Sequence, residues 1–402
     1  MKEIFLLGAG ASIEAGIPDS YQMSEKIIEN IAADPRLHNI TKILNFVIGG
    51  IIFHNGLIGE NPYSGVNVED LFTTVELLAK RRTSELSPFI SSWHPFLQEI
   101  QRGKLSYFSS KNLLEQIYSP IEKYFEDYSK GSKNQQNSYY HKHINPSYAN
   151  GFERYFSDAV EQVMYGAGDD LLNRASKIML SQLCGLTWLT DHNQVSYLEP
   201  LIRQVYSMAG VIATLNYDNS IELACSKLDI GVDTGLESWS TKGEFPFNED
   251  DKIPLLKLHG SINWALSEGK PSSSKPLPYQ VIRQENPETM INKSVMPEII
   301  FGGRNKLTAK GPFLDLLQAF EIKLEASDTL TVIGYSFRDE HINEFISKWF
   351  NGNENRIIKI IDPSVSKGGE GFIRTLLSSK RRQNVIPIPK NAGDAILEIF
   401  GT

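Results

Sequence analysis

Ile4-Phe5-Leu6-Leu7-Gly8-Ala9-Gly10-Ala11-Ser12 opens with an unbroken apolar run that gives way to glycines. Four apolar residues without alternation describe a strand buried on both faces, the condition of a strand inside a parallel sheet. Glycines directly after such a strand permit a tight turn that brings the backbone close to a pyrophosphate, as in dinucleotide-binding α/β proteins. The third glycine of the usual G-x-G-x-x-G pattern is replaced by Ile13, so the turn alone is a weak signal and a plain tight turn competes with it. Its continuation, Ala15-Gly16-Ile17-Pro18-Asp19, adds a fixed φ at Pro18, backbone freedom at Gly16 and a carboxylate, and reads as a shaped wall beside the turn. No G-x-x-x-x-G-K-[ST] occurs, which argues against ATP hydrolysis.

Similar apolar runs recur at Val211–Leu215, Leu255–Leu258, Ile299–Phe301, Leu330–Ile333 and Ile357–Ile361, each bounded by Gly, Asn, Asp or Pro. They predict further buried strands of a parallel sheet. Between the last two, Ile342, Phe345, Ile346, Trp349 and Phe350 share one helical face, so Leu330 to Ile361 reads as a β-α-β unit. Residues 36–204 carry few strand signals, and Val68–Lys80, Leu113–Tyr128 and Ala159–Leu183 have helical spacing. The expected fold is α/β: a Rossmann-like parallel sheet built from residues 1–35 and 205–402, interrupted by a helical insertion lobe, with Ser129–Ser147 and Leu266–Asn286 as polar loops. A short apolar strand and helix are expected over Val385 to Phe400, with no further domain expected after them.

Of 402 residues, 41% are hydrophobic and 22% charged, the balance of a folded chain rather than a disordered one. A net charge of −8 argues against nucleic acid or an anionic membrane as the main ligand. Only Cys184 and Cys225 are present, too few for a four-thiolate zinc site or a secreted disulfide framework. With an apolar start too short for a signal peptide and no run approaching about 20 apolar residues, a cytoplasmic, membrane-free protein is expected. His141-Lys142-His143 and Lys380-Arg381-Arg382 read as solvated polar tracts.

Three more strand ends carry chemistry. In Thr214-Leu215-Asn216-Tyr217-Asp218, Asn216 is a polar group on the carboxyl rim of the sheet, where open parallel sheets hold ligands. Asp218 reads equally well as a ligand contact or as the cap of a helix starting near Asn219. Lys257-Leu258-His259-Gly260-Ser261 places His259 on the same rim, where an imidazole suits a proton acceptor. The runs Val332-Ile333-Gly334-Tyr335-Ser336 and Ile360-Ile361-Asp362 end the following strands.

These four motifs, in this order, resemble those of the sirtuin (SIR2) family: G-A-G-x-S with G-I-P-D, T-Q-N-x-D, L-H-G and G-T-S. Gly334-Tyr335-Ser336-Phe337-Arg338-Asp339 followed by Glu340, His341 and Ile342 is characteristic of divergent prokaryotic SIR2-like domains. The resemblance implies an NAD⁺ site lined by Gly8, Ala9, Gly10, Ser12, Ile17, Pro18, Asp19, Asp218, Gly334, Ser336 and Asp362, with Asn216 and His259 as catalytic residues. It departs in two places. Ser20-Tyr21 stands where deacylating sirtuins have Phe-Arg, and the two isolated cysteines cannot form their zinc module. NAD⁺ as substrate, no zinc, and cleavage of the nicotinamide–ribose bond are therefore expected, in a protein that depletes NAD⁺ during phage infection. By length the chain most resembles SIR2 proteins paired with a separately encoded HerA-like hexameric ATPase, and homo-oligomerisation is expected with it. A protein deacylase shares the pocket but needs a peptide groove. A binding scaffold without turnover would not require both Asn216 and His259, and a hydride-transfer dehydrogenase lacks its third glycine.

Overall fold

The computed structural model describes residues 2–59, 61, 65–80, 171–242, 245, 247, 251–268, 279–283, 287, 297–299 and 312–401. These fall into two compact units, residues 1–27, 61–70 and 179–402, and residues 28–60 and 71–178. Residues 179–204, read from sequence as part of the insertion lobe, thus lie in the unit that contains the sheet.

Seven strands form that sheet: β1 (Glu3–Leu7), β2 (Val211–Thr214), β3 (Gly231–Asp233), β4 (Lys252–Lys257), β8 (Thr329–Ile333), β9 (Ile357–Ile361) and β10 (Val385–Ile388). Their order is β10-β9-β8-β1-β2-β4-β3, and every pairing is parallel. Both faces are covered. Ile4, Leu6, Val332 and Ile360 pack with Phe320, Ile346 and Trp349 of the helices Phe313–Glu325 and Glu340–Gly352. On the opposite face Phe5 meets Phe400 of the helix Ala392–Phe400 edge to face, with centroids 6.0 Å apart. Burial on both faces explains why these strands read as continuous apolar runs.

The order places a topological switch point at β1. The chain leaves β1 to build β2, β3 and β4 on one side, then returns to lay β8 against the other edge of β1 and continues outward to β9 and β10. A crevice at the carboxyl ends of the two strands flanking such a point is where open α/β sheets bind ligands.

A second sheet is antiparallel, β6 (Tyr279–Arg283), β5 (Gly260–Glu268) and β7 (Pro297–Ile299) in that order. It corrects two sequence readings. Ile299, the first residue of the strand expected at Ile299–Phe301, ends β7 of this sheet and does not belong to the parallel one, while Ile300 and Phe301 lie outside the described residues. Leu266–Asn286, expected to be a loop, carries the end of β5 and all of β6. Trp239, Trp264, Val281 and Leu316 make a small core beneath it, and Trp239 Nε1 donates to Asp315 Oδ2 at 2.8 Å.

The second unit contains the helix His38–Leu57, whose buried residues Ile40, Ile43, Leu44 and Val47 repeat every three or four positions. Among the described residues this is one helix, Pro35–Leu57, long and apolar enough to cross a membrane by length and composition, with a mean hydropathy of 1.3. That corrects the sequence reading that no such stretch exists: Asn, Gly and Thr break the run without adding charge, and Lys42 is its lone Lys, Arg, Asp or Glu after Arg36. A core helix passes the same test. The readings at Leu113–Tyr128, Ser129–Ser147 and His141-Lys142-His143 lie outside the described residues.

Candidate functional site on the carboxyl rim

Four neighbouring strands, β8, β1, β2 and β4, present Gly334, Gly8, Asn216 and His259 just past their carboxyl ends. At about 4.8 Å per strand, the four ends span roughly 14 Å. The glycines interlock the two loops at the switch point. Gly8 N donates to Ile333 O at 2.9 Å and Gly10 N to Gly334 O at 2.8 Å. A Cβ on Gly8 would stand 2.6 Å from Tyr335 Cα, and one on Gly334, whose φ is +61°, would stand 2.4 Å from Ala11 N. The nearest atoms are protein backbone, so these glycines are required by loop-on-loop packing.

After Gly8 the chain forms one short 3₁₀ turn, Ala9–Ser12, and the helix Ser20–Ala33 starts after the wall segment. Ala9 is exposed and Gly10 half-buried, while Ser12 is buried. Asn216 Nδ2 donates to Gly8 O at 2.8 Å and to Ser12 Oγ at 2.9 Å. Ser12 Oγ donates in turn to Asp218 Oδ2 at 2.9 Å, and Asp218 Oδ1 accepts from Ser220 N at 2.9 Å. Asp218 therefore satisfies the first amide of the helix Ser220–Lys227, close to the capping role read from sequence, and also holds the glycine turn. Asn216 is half-buried, and its amide nitrogen is fully committed to the turn while Oδ1 accepts from no described residue.

The wall segment is held from within. Ile17 and Pro18 are buried. Asp19 Oδ1 accepts from Tyr21 N and Gln22 N at 2.9 Å each, and Gln22 Oε1 accepts from Asp19 N, a reciprocal cap on the helix Ser20–Ala33. Tyr197 donates to Ala11 O at 2.5 Å and Gln194 to Ala15 O at 3.0 Å. Tyr21 lies under the guanidinium of Arg338, 5.1 Å from ring centroid to Cζ, and its hydroxyl accepts from Arg338. An aromatic–arginine pair is thus assembled between the first turn of the helix Ser20–Ala33 and the loop after β8.

His259 stands at the corner between β4 and β5, where Gly260 takes φ +81°. It is 5% exposed. Its Nε2 is 2.9 Å from Asp339 Oδ2, and its Nδ1 is buried with no hydrogen-bond partner among the described residues. Asp339, 7% exposed, caps the helix Glu340–Gly352 through Oδ1, which accepts from His341 N at 3.1 Å. Tyr335 steadies the cap: its hydroxyl accepts from Asp339 N at 3.1 Å and lies 3.2 Å from both Asp339 O and Asn343 Oδ1. Burial, reinforced by the negative Asp339, pushes the Tyr335 phenol up, so it stays protonated. Between them Phe337 holds a left-handed φ of +57° while stacked between Tyr335 and Phe372, the kind of strained backbone that packing over-determines at functional loops.

Beneath the rim, Lys257 is fully buried; its Nζ is 2.9 Å from Glu222 Oε1 and donates to Asp218 O at 2.5 Å. It ties the loop bearing Asn216 to the end of β4, two residues before His259. Ser336 is exposed on the rim. Asp362 Oδ1 accepts from Ser364 N at 2.8 Å, and beyond it a cleft of about 420 Å³ is lined by Pro363, Pro389, Lys390, Asn391, Asp394 and Glu398. This cleft sits past β9 and β10, four and five strands from β4. Among the described residues no group of three or more His, Cys, Asp or Glu could hold a metal ion.

Two of the residues that define the site, Asp339 and Lys257, escape the sequence reading: one looks like a helix cap and the other like the last residue of a strand. Lys380-Arg381-Arg382 also differs from expectation. Arg381 lies over Phe350 at 4.1 Å and donates to Phe350 O and Asn353 O, closing the end of the helix Glu340–Gly352 instead of standing in solvent.

The fold and rim define a doubly wound α/β protein with a switch-point site that lacks a metal cluster among the described residues. The model of the SIR2-like domain matches residues 210–370, a stretch that includes Asn216, Asp218, His259, Gly334, Ser336, Asp339 and Asp362 and excludes the glycine-rich opening. Among solved structures the chain is similar to a mutant Sir2 homologue in complex with 2′-O-acetyl ADP-ribose, with 11% identity and a TM-score of 0.35, covering 58% of this chain and 76% of that one. No curated protein matches the chain.

Proposed function

We propose that this protein is an NAD⁺ glycohydrolase that cleaves the nicotinamide–ribose bond. The observation that carries the proposal is His259: a buried imidazole on the ligand-binding rim whose Nε2 is held by Asp339 and whose Nδ1 has no partner among the described residues. An orphaned buried acceptor costs about 1–3 kcal/mol, and a hydroxyl or water delivered with a ligand removes that cost. The donor set around it suits a ribose. Asn216 Oδ1 is open to a hydroxyl or water, and the exposed Ala9 and Ser336 offer a backbone amide and a hydroxyl to a pyrophosphate at the switch point. Asp362 and the cleft lined by Asp394 and Glu398 supply carboxylates for the hydroxyls of the adenosine ribose.

In the reaction the C1′–N1 bond breaks and its electron pair passes to the pyridinium nitrogen, so nicotinamide leaves neutral and needs no acid. The ribose becomes oxocarbenium-like, and a water oriented by Asn216 adds its oxygen to C1′. His259 Nδ1 takes the proton from that water, giving an imidazolium stabilised by Asp339. Asp218 holds the glycine turn through Ser12. Incubation with NAD⁺ alone, without an acylated peptide, tests the reading. His259→Ala and Asn216→Ala are each expected to lower nicotinamide release at least about 100-fold with the fold intact. Wild-type release by the His259 variant overturns it.

We further propose, on the resemblance alone, that the activity serves antiphage NAD⁺ depletion in a homo-oligomer working with a HerA-like ATPase in the cytoplasm. Co-purification with the product of the adjacent gene, followed by the same NAD⁺ assay, tests that part.

A further inference from the structure

We infer that Asp339 is a positioning residue that fixes the tautomer of His259 and thereby makes Nδ1 the proton-accepting atom; the catalytic meaning rests on the proposed glycohydrolase reading, but the tautomer does not. Asp339 is a carboxylate anchored at both oxygens. Oδ1 is aimed at the amides of His341 and Ile342, at 3.1 and 3.5 Å, and can only accept from them. Oδ2 faces His259 Nε2 at 2.9 Å. A carboxylate held by backbone amides is an acceptor, so Nε2 carries the hydrogen and the lone pair of the neutral ring resides on Nδ1. The same carboxylate stabilises the imidazolium formed when Nδ1 takes a proton.

The surroundings prevent the loop from shifting to another arrangement. Tyr335 brackets Asp339 from the side of its backbone, Asn343 Nδ2 donates to Phe337 O at 2.7 Å, and Phe337 is packed in a left-handed conformation between two rings. One residue thus caps a helix and sets a base, which couples the start of the helix Glu340–Gly352 to the corner after β4 across 80 positions of sequence.

Asp339→Asn separates these two roles. Asn caps helices as well as Asp, so its oxygen keeps the bond to His341 N. Its amide then faces Nε2 as a donor and forces the hydrogen onto Nδ1. Asp339→Ser, also a good cap, removes the contact with His259 altogether. Nitrogen-15 NMR of the unliganded protein, with the His259 signals assigned by their loss in His259→Gln, should show protonated Nε2 and bare Nδ1 in the wild type and the reverse in Asp339→Asn. Nicotinamide release in both variants should fall about 10²- to 10⁴-fold in kcat, with KM within a few fold and an unchanged melting temperature. A wild-type ring protonated at Nδ1, or wild-type kcat in both variants, overturns the inference. If the wild type releases no nicotinamide, the glycohydrolase reading fails and the NMR result alone decides the tautomer.

Discussion

At the residue scale, the glycines of the rim serve two different needs. Gly334 is confined by backbone atoms of Gly10 and Ala11 and also takes a left-handed φ, whereas Gly368 takes φ +82° with nothing within 4 Å of the space a Cβ would fill. Gly334→Ala should therefore lose about 2–5 kcal/mol, from conformational strain together with steric displacement of the glycine turn. Gly368→Ala should lose only about 1–2 kcal/mol, from conformation alone. Urea denaturation of the two variants checks the contrast, and equal losses would mean that the interlocked loops relax freely. From sequence, Gly8 and Gly10 read as a ligand-binding turn because a glycine pair after a strand is a local signal. Their actual neighbours, Tyr335 and Gly334, are more than 320 positions away and leave no local trace.

Among the elements, the buried ion pair of Lys257 and Glu222 joins the end of β4 to the first turn of the helix Ser220–Lys227. Lys257→Met strands a buried carboxylate and should cost about 3–5 kcal/mol. Adding Glu222→Leu should recover at least about 1 kcal/mol of it, measured as a positive coupling in a double-mutant cycle. Purely additive losses would show that the pair does not tie the loop. The same scale explains which elements were legible. β1, β2, β4 and β8 announce themselves because their residues are buried on both faces, while β9 and β10 are legible as short apolar runs although part of each is exposed or half-buried. β3 spans only Gly231–Asp233 and is half-buried, so it presents no apolar run. β5 and β6 pair antiparallel and adjoin a Ser-, Pro- and Lys-rich stretch, whose composition dominates a window reading. Asp339 stands in the sequence only as the end of the Gly334-to-Asp339 run, and its contact with His259 leaves no local signal because the two residues are 80 positions apart.

For the whole molecule, the two cysteines illustrate how composition and structure meet. Cys184 and Cys225 are both buried, and burial pushes each thiol up from an ordinary 9.0 to about 12. Neither should react with a thiol reagent at pH 8 in the native protein, and both should react in denaturant. Because unfolded thiols ionise first as pH rises past 9, each also contributes stability below pH 9 that is lost on the way to pH 12. Fast native labelling at pH 8 would contradict that placement. The larger architecture follows from one topological fact: the chain leaves β1 in one direction and returns on its other side, which gathers the glycine turn, Asn216, His259 and Gly334 on a single rim.

What that rim does is decided most directly by chromatography of NAD⁺ incubated with the purified protein, alone and with any protein that co-purifies with it, beside the His259→Ala variant. The account predicts equimolar nicotinamide and ADP-ribose in the wild type without any acylated peptide, and at least about 100-fold less of both in the variant. Intact NAD⁺ in both wild-type preparations, or undiminished release by His259→Ala, would contradict it.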